Sequence, residues 1–463
     1  MISSQILQNL SDILGPEALR TRPDDLEPYS KDATRLIFMP DAVAFPRNSR
    51  EVSRILNLAN KEGFPVIPRG AGSGKSGGAL PVAGGLVLSL ERLNRILQLD
   101  EENLIAKVEP GVITADLQEA VEKRGLFYPP DPASIKISTI GGNVAECAGG
   151  LRAVKYGVTR DYVLGLTVVL PTGEIMKTGV ETAKGVVGYD LTRLIVGSEG
   201  TLAVITAVTL RLIPMPTAKG TMIAYFDDMK SAVGTVSALA RRKVVPAILE
   251  FMDRLSLECV RDEMARPFPP TAKAMLLIEV DGDTRQVKNE AERVEQVCRE
   301  AGVLRFEEAT QEEEVERLWD ARRNVSEALF KLRPHKISED IVVPRNRLAD
   351  FIGFLEALGQ SSGLPLPAFG HAGDGNIHVN LMHDQANPDE ADKVEGIIKE
   401  VFEKVLELGG TLSGEHGIGL TKSPYLSMEI PKPAFDLMVR LKKAFDPKGI
   451  LNPGKIFAQP DYR

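Results

Sequence analysis

The sequence predicts an α+β protein with more than one domain. Short apolar runs rich in Val, Ile and Thr, separated by glycine-rich turns, dominate residues 36–215. Long charged helical patterns alternating with isolated strand patterns follow over residues 216–410. With 463 residues, 43% of them hydrophobic, the chain exceeds what one core usually holds, so two or three packed domains are expected.

The pattern along the chain supports this division. Residues 1–35 form an N-terminal helical segment, in which Met1–Leu14 is amphipathic and lacks the cationic start of a secretory signal. In residues 36–215 we expect helices at 49–62 and 114–124 and strands at 85–90, 105–108, 165–170 and 201–212. In residues 216–410 we expect helices at 285–301, 311–331 and 388–408, and strands at 274–280 and 377–382. Residues 411–463 return to glycine-rich loops.

Composition excludes several classes of function. A net charge of -8 and a pI near 5.5 argue against a nucleic-acid-binding surface. The three cysteines are far apart and form neither a disulfide framework nor a cluster for an iron–sulfur centre. No run approaches the roughly 20 apolar residues of a membrane span. A cytoplasmic protein is expected, associated with a membrane only through a partner.

The glycine loop at residues 68–78 imitates two nucleotide-binding motifs. It contains Gly-Lys-Ser, but Arg69 stands where a P-loop requires glycine. It also matches the dinucleotide fingerprint, although no helix is predicted after it. The remaining interpretation is a loop whose backbone N–H groups surround a phosphate, and a merely flexible surface loop is the alternative. Residues 138–150 and 197–206 are two further segments with very small side chains.

The histidines are distributed unevenly. Of five, three lie in Gly370–His378 and Ser413–Gly419, each beside a carboxylate. His378 and Asn380 are two apart on a predicted strand and so share one face, and His371 can return through the turn at residues 373–375. We expect Asp374 to form that turn. This pattern indicates a metal or catalytic centre, against the alternative of ordinary hydrogen-bonded buried histidines.

These motifs resemble a known family. Together with residues 129–132 and 451–455, the three glycine segments resemble the FAD domain of flavoproteins of the vanillyl-alcohol oxidase type. The two histidine segments resemble the branch with D-lactate dehydrogenases, D-2-hydroxyglutarate dehydrogenases and the FAD subunit of bacterial glycolate oxidase. The resemblance spans residues 20–458. It implies a two-part FAD-binding domain (PCMH-type), an α+β substrate (cap) domain, and a C-terminal segment that returns to the flavin.

The resemblance also implies the cofactor contacts. FAD would be non-covalent, because the first loop lacks the histidine to which some relatives attach the flavin. The residues carried over as FAD contacts are Pro68, Arg69, Gly70, Ala71, Gly72, Ser73, Gly74, Ser76, Gly77, Asp131, Ser134, Thr139, Gly142, Asn143, Ala145, Gly149, Gly200, Ile205 and Asn452.

For catalysis, the resemblance implies a divalent metal (Zn, Mn or Fe) on His371, His378 and Glu415. It implies His416 as the base, Arg322 as the binder of the substrate carboxylate, with Arg323 as an alternative, and Asn380 as a further active-site residue. Lys336 is a weaker candidate for substrate contact, and the motifs give His335 and His383 no role.

The implied function is an FAD-dependent D-2-hydroxy acid dehydrogenase that oxidises D-lactate, glycolate or a related acid. Electrons would pass to an external acceptor, such as an iron–sulfur subunit, an electron-transfer flavoprotein, a quinone or a cytochrome. The alternatives are a non-catalytic FAD-binding electron-transfer subunit and a flavin oxidase acting on another class of alcohol. A metal-dependent hydrolase or a non-haem iron oxygenase would leave the FAD-type loops unexplained.

Overall fold

The computed structural model describes residues 2–182, 184–264 and 267–457, so the first residue and the last six of the predicted terminal segments lie outside it. Its helices are α1 (Ser4–Leu14), α2 (Pro23–Leu26), α3 (Ser49–Glu62), α4 (Thr114–Glu122), α5 (Ile140–Glu146), α6 (Ala153–Tyr156), α7 (Leu191–Ile195), α8 (Met229–Arg241), α9 (Arg254–Cys259), α10 (Thr284–Glu300), α11 (Glu312–Ala328), α12 (Leu348–Ser362), α13 (Pro388–Ala391), α14 (Val394–Glu407), α15 (Leu426–Glu429) and α16 (Lys432–Phe445).

The strands are β1 (Leu19–Arg20), β2 (Ala42–Ala44), β3 (Val66–Arg69), β4 (Leu86–Ser89), β5 (Ile96–Asp100), β6 (Ile105–Val108), β7 (Leu126–Phe127), β8 (Val163–Val169), β9 (Ile175–Gly179), β10 (Val204–Arg211), β11 (Ile213–Pro214), β12 (Ala218–Phe226), β13 (Ile248–Asp253), β14 (Ala274–Gly282), β15 (Arg305–Ala309), β16 (His335–Val342), β17 (Ala368–His371) and β18 (Asn376–His383).

The chain forms two compact units. The first contains residues 1–149, 158–215 and 415–463, and the second contains residues 150–157 and 216–414. Among the described residues, no helix has the length and apolar character needed to cross a membrane.

The first unit contains two main sheets. One is four-stranded in the order β1-β2-β4-β3, with β2 and β3 both parallel to β4. The other is an antiparallel sheet in the order β5-β6-β10-β8-β9. Apolar side chains of α1, α3 and the strands β2 to β4 share one buried core, which includes Leu10, Ile55 and Val87.

Helix α3 shows why its ends could be predicted. Asn48 accepts hydrogen bonds from the N–H groups of Arg50 and Glu51, and Gly63 ends the helix in the left-handed conformation. The predicted bounds, 49–62, are confirmed. The absence of a helix directly after the first glycine loop is also confirmed, because residues 70–85 form only turns and bends. Helix α5 was not predicted.

The second unit is built on a seven-stranded antiparallel sheet in the order β15-β12-β14-β13-β17-β18-β16. Helices α9 and α11 share an apolar core with side chains of this sheet, among them Met252, Met275 and Phe369. Helices α8 and α10 pack on β12 and β14, while α14 packs on β16 and β18. Helix α11 lies on the face of the sheet where Arg322 contacts Glu250 of β13 and Phe369 of β17.

One prediction in this unit was wrong in detail. The helix predicted over 388–408 is divided into α13 and α14, because the N–H of Lys393 bonds to the carbonyl of Glu390, three residues back, and the α-helical pattern stops there. Strand β16 was not predicted, because it carries the charged residues Lys336 and Glu339, both half-buried, and Asp340, which is buried.

Candidate active site

The predicted histidine pair lies on one face of the sheet in the second unit. Alternation along β18 places His378 and Asn380 on the same side, and β17 returns His371 to it. The two imidazole rings are edge-on with centroids 5.2 Å apart, and both side chains are buried. Asp374 accepts the N–H of Asn376 and forms the connecting turn, as predicted. The structure thus brings together two of the three predicted metal ligands within this unit.

A carboxylate that was not predicted lies beside this pair. Glu250, on β13, is fully buried. Its Oε1 lies 2.6 Å from Nδ1 of His371, and its Oε2 lies 2.6 Å from Nε of Arg322. The Nη2 group of Arg322 also pairs with Oε2. One carboxylate therefore binds a predicted metal ligand through one oxygen and the predicted substrate arginine through the other.

The electrostatics keep Glu250 ionised. Burial by itself would raise the pKa of this carboxyl, but the charges of Arg322 and His371 outweigh burial and hold its pKa below the usual range. Because an ionised carboxylate only accepts hydrogen bonds, Nδ1 of His371 carries the proton in this contact. When the ring is neutral, its lone pair is then on Nε2.

The neighbouring arginines have different environments. Arg322 is 6% exposed, and its guanidinium carbon lies 4.8 Å from the ring centroid of Phe369. Arg323 is 42% exposed and pairs with Asp320 on the same helix. Only Arg322 faces the sheet that carries the histidines.

Asn380 and Lys336 share this face of the sheet. The amide of Asn380 donates to the carbonyls of Pro367 and His378, while its Oδ1 is buried without a hydrogen-bond partner among the described residues. Nζ of Lys336 is bound to the backbone and hydroxyl oxygens of Ser326. Asn380 therefore offers an acceptor, whereas Lys336 is already engaged.

The two remaining histidines lie elsewhere on the sheet. His335 and His383 are directly opposite each other at the end of β16 and β18, with ring centroids 5.6 Å apart. The strand period of two places them on the face opposite His378.

In the first unit, the loop at residues 68–78 leaves no room for a side chain at Gly70 or Gly72. A Cβ on Gly70 would lie 2.4 Å from Oγ1 of Thr139, and one on Gly72 would lie 2.1 Å from the Arg69 guanidinium. The hydroxyl of Ser76 is buried and has no hydrogen-bond partner among the described residues. A backbone cradle with an unused polar group fits a phosphate-bearing cofactor.

Arg69 has a structural role that the sequence did not indicate. Its side chain is buried, and Nη2 donates to the carbonyl of Lys31 at 2.8 Å. The guanidinium also lies 5.7 Å from the ring centroid of Tyr29. Arg69 thus connects residues 28–31 to the start of the glycine loop.

The other predicted cofactor segments surround this loop within the first unit. Thr139 caps α5 by accepting the N–H of Gly142, and the Asn143 amide donates to Thr114. The Asn452 amide donates to the carbonyls of Gly78 and Glu199. Oδ1 of Asn452 is buried without a partner among the residues that the structure describes, so it too can serve a bound cofactor.

The segment that begins at Glu415 is held by a buried acid. Glu199 accepts the N–H groups of Ile418 and Gly419 at 2.8 and 2.6 Å. Nε2 of His416 lies 4.0 Å from Oε1 of Glu415. A Cβ on Gly149 would lie 2.8 Å from the other oxygen of Glu415.

Glu199 has a second carboxylate as a neighbour, that of the half-buried Glu146, whose Oε2 atom is buried. A Cβ on Gly417 would lie 2.6 Å from Oε2 of Glu146 and 2.9 Å from Oε1 of Glu199. Burial, followed by the charge of Glu199, raises the pKa of Glu146 well above its usual range. Burial also raises the pKa of Glu199. Neither acid was predicted, because single glutamates in glycine-rich segments give no motif.

Comparison with known proteins identifies the two parts of the chain. The family described as FAD linked oxidases, C-terminal domain, matches residues 215–456, and the FAD binding domain family matches residues 40–179. The glycolate oxidase subunit GlcD of Bacillus subtilis (strain 168) is 47% identical over 99% of this chain and 98% of its own. The D-lactate dehydrogenase of Anaerostipes hadrus is 38% identical over 90% of this chain and 89% of its own.

A solved structure supports the fold. The structure of p-cresol methylhydroxylase with substrate bound has a TM-score of 0.81 at 18% identity, covering 98% of this chain and 96% of that one. The predicted fold class, a PCMH-type FAD-binding fold with mixed α and β content, is confirmed.

Proposed function

We propose, from the premise that this chain belongs to the FAD-linked oxidase family and binds FAD, that it is an FAD-dependent D-2-hydroxy acid dehydrogenase. The relatives named glycolate oxidase subunit and D-lactate dehydrogenase support this assignment. We assign the FAD-binding domain to residues 36–215, completed by residues 411–463, and the substrate domain to residues 216–410. The observation that carries the proposal is the buried pair His371 and His378 beside Arg322, in a chain with FAD-type glycine loops.

FAD would be held non-covalently by the first unit. Backbone N–H groups of residues 70–77 would receive the pyrophosphate, and the unused polar atoms of Ser76 and Asn452 would complete the contacts. Bound FAD supplies the hydride acceptor for the oxidation.

A divalent metal would be held by His371, His378 and Glu415. His371 offers Nε2, because its Nδ1 is directed at Glu250. Glu415 directly follows Gly414 in the sequence. The N–H of Gly414 donates to the Asp340 carboxylate at 2.9 Å. Asp340 lies opposite His378 in the strand register. Two histidines and one carboxylate suit zinc, manganese or iron, and the metal supplies a Lewis acid for the 2-hydroxyl group.

The remaining groups would bind substrate and move its proton. Arg322 keeps N–H groups that Glu250 does not use, and these would hold the substrate carboxylate. Oδ1 of Asn380 would accept a hydrogen bond from the substrate, and His416 would take the hydroxyl proton as the base. The product is the 2-oxo acid. Reoxidation requires an external acceptor, such as an iron–sulfur subunit, an electron-transfer flavoprotein or a quinone.

The test is an anaerobic visible spectrum of the purified protein with D-lactate, L-lactate, glycolate and D-2-hydroxyglutarate in turn, with metal analysis of the same sample. We expect bleaching of the flavin band by glycolate or a D-acid, and about one divalent metal per chain. A yellow protein that none of these acids bleaches would favour a non-catalytic FAD subunit or an oxidase of another alcohol class. The variant His416→Asn should keep FAD and lose reduction by substrate, and reduction at the normal rate would show that another group is the base.

A further inference from the structure

Glu250 makes a contact that the proposed reaction does not by itself require. It lies on β13, whereas its two partners lie on α11 and β17, which are 72 and 121 residues away in sequence. Both of its oxygens are engaged and its side chain is 0% exposed. Loss of either partner would leave a buried charge partly uncompensated and would lower the stability of the fold. The three side chains are therefore held in one arrangement.

We propose that Glu250 is a positioning residue that couples metal binding to recognition of the substrate carboxylate. The inference rests on the proposed function. Through Oε1, Glu250 fixes the His371 tautomer in which Nε2 is the nitrogen that can donate its lone pair to a metal. Through Oε2, it fixes the plane of the Arg322 guanidinium, because Nε and Nη2 both pair with that oxygen.

The consequence is a fixed relative position of His371 and Arg322. His371 and Arg322 are hydrogen-bonded to the two oxygens of the same carboxylate. The distance between the proposed metal ligand and the proposed carboxylate-binding arginine is therefore fixed.

Replacement of Glu250 by glutamine tests the coupling, because an amide cannot serve both partners. If its oxygen accepts from Arg322, its NH₂ group faces Nδ1 of His371, and the proton of the ring moves to Nε2. If its oxygen accepts from His371, its NH₂ group faces the guanidinium N–H groups of Arg322. Either arrangement weakens one of the two functions while nearly preserving the volume of the side chain.

The control is Glu279→Gln. Glu279 is also buried and lies on β14, in register with Ile248 of β13. It accepts a hydrogen bond from Thr221 and makes no contact with His371 or Arg322 among those the structure shows. A general effect of removing a buried acid from this sheet would therefore appear in both variants.

The experiment uses FAD-loaded protein from which metal has been removed with a chelator. Zn²⁺ and Mn²⁺ are titrated into the wild type, Glu250→Gln and Glu279→Gln, and the Kd is measured directly. We expect about a 10–100-fold weaker Kd for Glu250→Gln, as for the loss of other groups that orient metal ligands. With saturating metal, its KM for the preferred acid should rise more than its kcat falls. Glu279→Gln should match the wild type in both measurements.

The outcomes separate this inference from the proposed function. If the wild type is reduced by a 2-hydroxy acid and binds metal, but Glu250→Gln has the wild-type Kd and KM, the coupling role is wrong while the function stands. Equal losses in Glu250→Gln and Glu279→Gln would also overturn it. If no acid reduces the wild type and neither metal binds, the proposed function fails and this inference with it.

Discussion

Removal of the Arg322 side chain should have two effects that replacement of its neighbour does not. In Arg322→Ala, Glu250 keeps His371 as its one hydrogen-bond partner among the described residues, although it remains buried. Breaking a buried ion pair from one side typically costs about 3–5 kcal/mol of unfolding free energy. Arg323→Ala removes only an exposed pair with Asp320, which typically contributes about 0–1 kcal/mol.

The same substitution should reverse the pH dependence that Glu250 contributes. In the wild type, Arg322 and His371 lower the pKa of Glu250 against the effect of burial, so its stabilising contribution is present above the usual carboxyl range and is lost as the pH falls. Without Arg322, burial is less opposed and the pKa should rise. The ionised carboxylate then destabilises the fold, and stability falls as the pH increases through the raised pKa.

The assay combines unfolding with anaerobic flavin reduction. Loss of two charged hydrogen bonds to the substrate carboxylate, about 1.5–3 kcal/mol each, should lower kcat/KM at least about 100-fold in Arg322→Ala. Arg323→Ala should keep the wild-type rate and stability. The assignment of the substrate carboxylate to Arg322 would be refuted by normal reduction in Arg322→Ala, or by a loss of reduction in Arg323→Ala alone.

Two further predictions concern the first unit. Glu146→Gln should stabilise the FAD-loaded protein against thermal unfolding. The difference in stability from the wild type should grow as the pH rises, because the raised pKa of Glu146 makes its ionised form unfavourable in the folded protein. A difference that shrinks with rising pH would contradict this prediction. Ser76→Ala should weaken FAD binding about 3–10-fold in a fluorescence titration, since its buried hydroxyl has no hydrogen-bond partner among the described residues and would gain one from the cofactor. Unchanged FAD affinity would exclude this hydroxyl from the contacts.

The sequence predicted those features that depend on neighbours along the chain. Helix α3 has its own caps, Asn48 and Gly63, so its bounds could be predicted without tertiary information. His371 and His378 share a short hairpin, so their common face follows from the strand period and the turn. Glu250 could not be found in this way. It is one acid in an apolar strand, and its partners become neighbours only when distant segments fold.

The buried acids suggest how the functional groups are arranged before any ligand binds. In the second unit, Glu250 orients His371 and Arg322; in the first, Glu199 holds Ile418 and Gly419 and so fixes the segment that carries Glu415 and His416. Each arrangement orders its groups during folding, which lowers the entropy cost at the moment of reaction. Both place a carboxylate in a buried environment, which opposes stability. Substitutions of buried acids should therefore differ in their effect on stability. Glu250 has two partners that compensate its burial, so its removal should cost function without a gain in stability. Glu146, which lies beside Glu199, has no partner for Oε2 among the described residues, so its removal should raise stability.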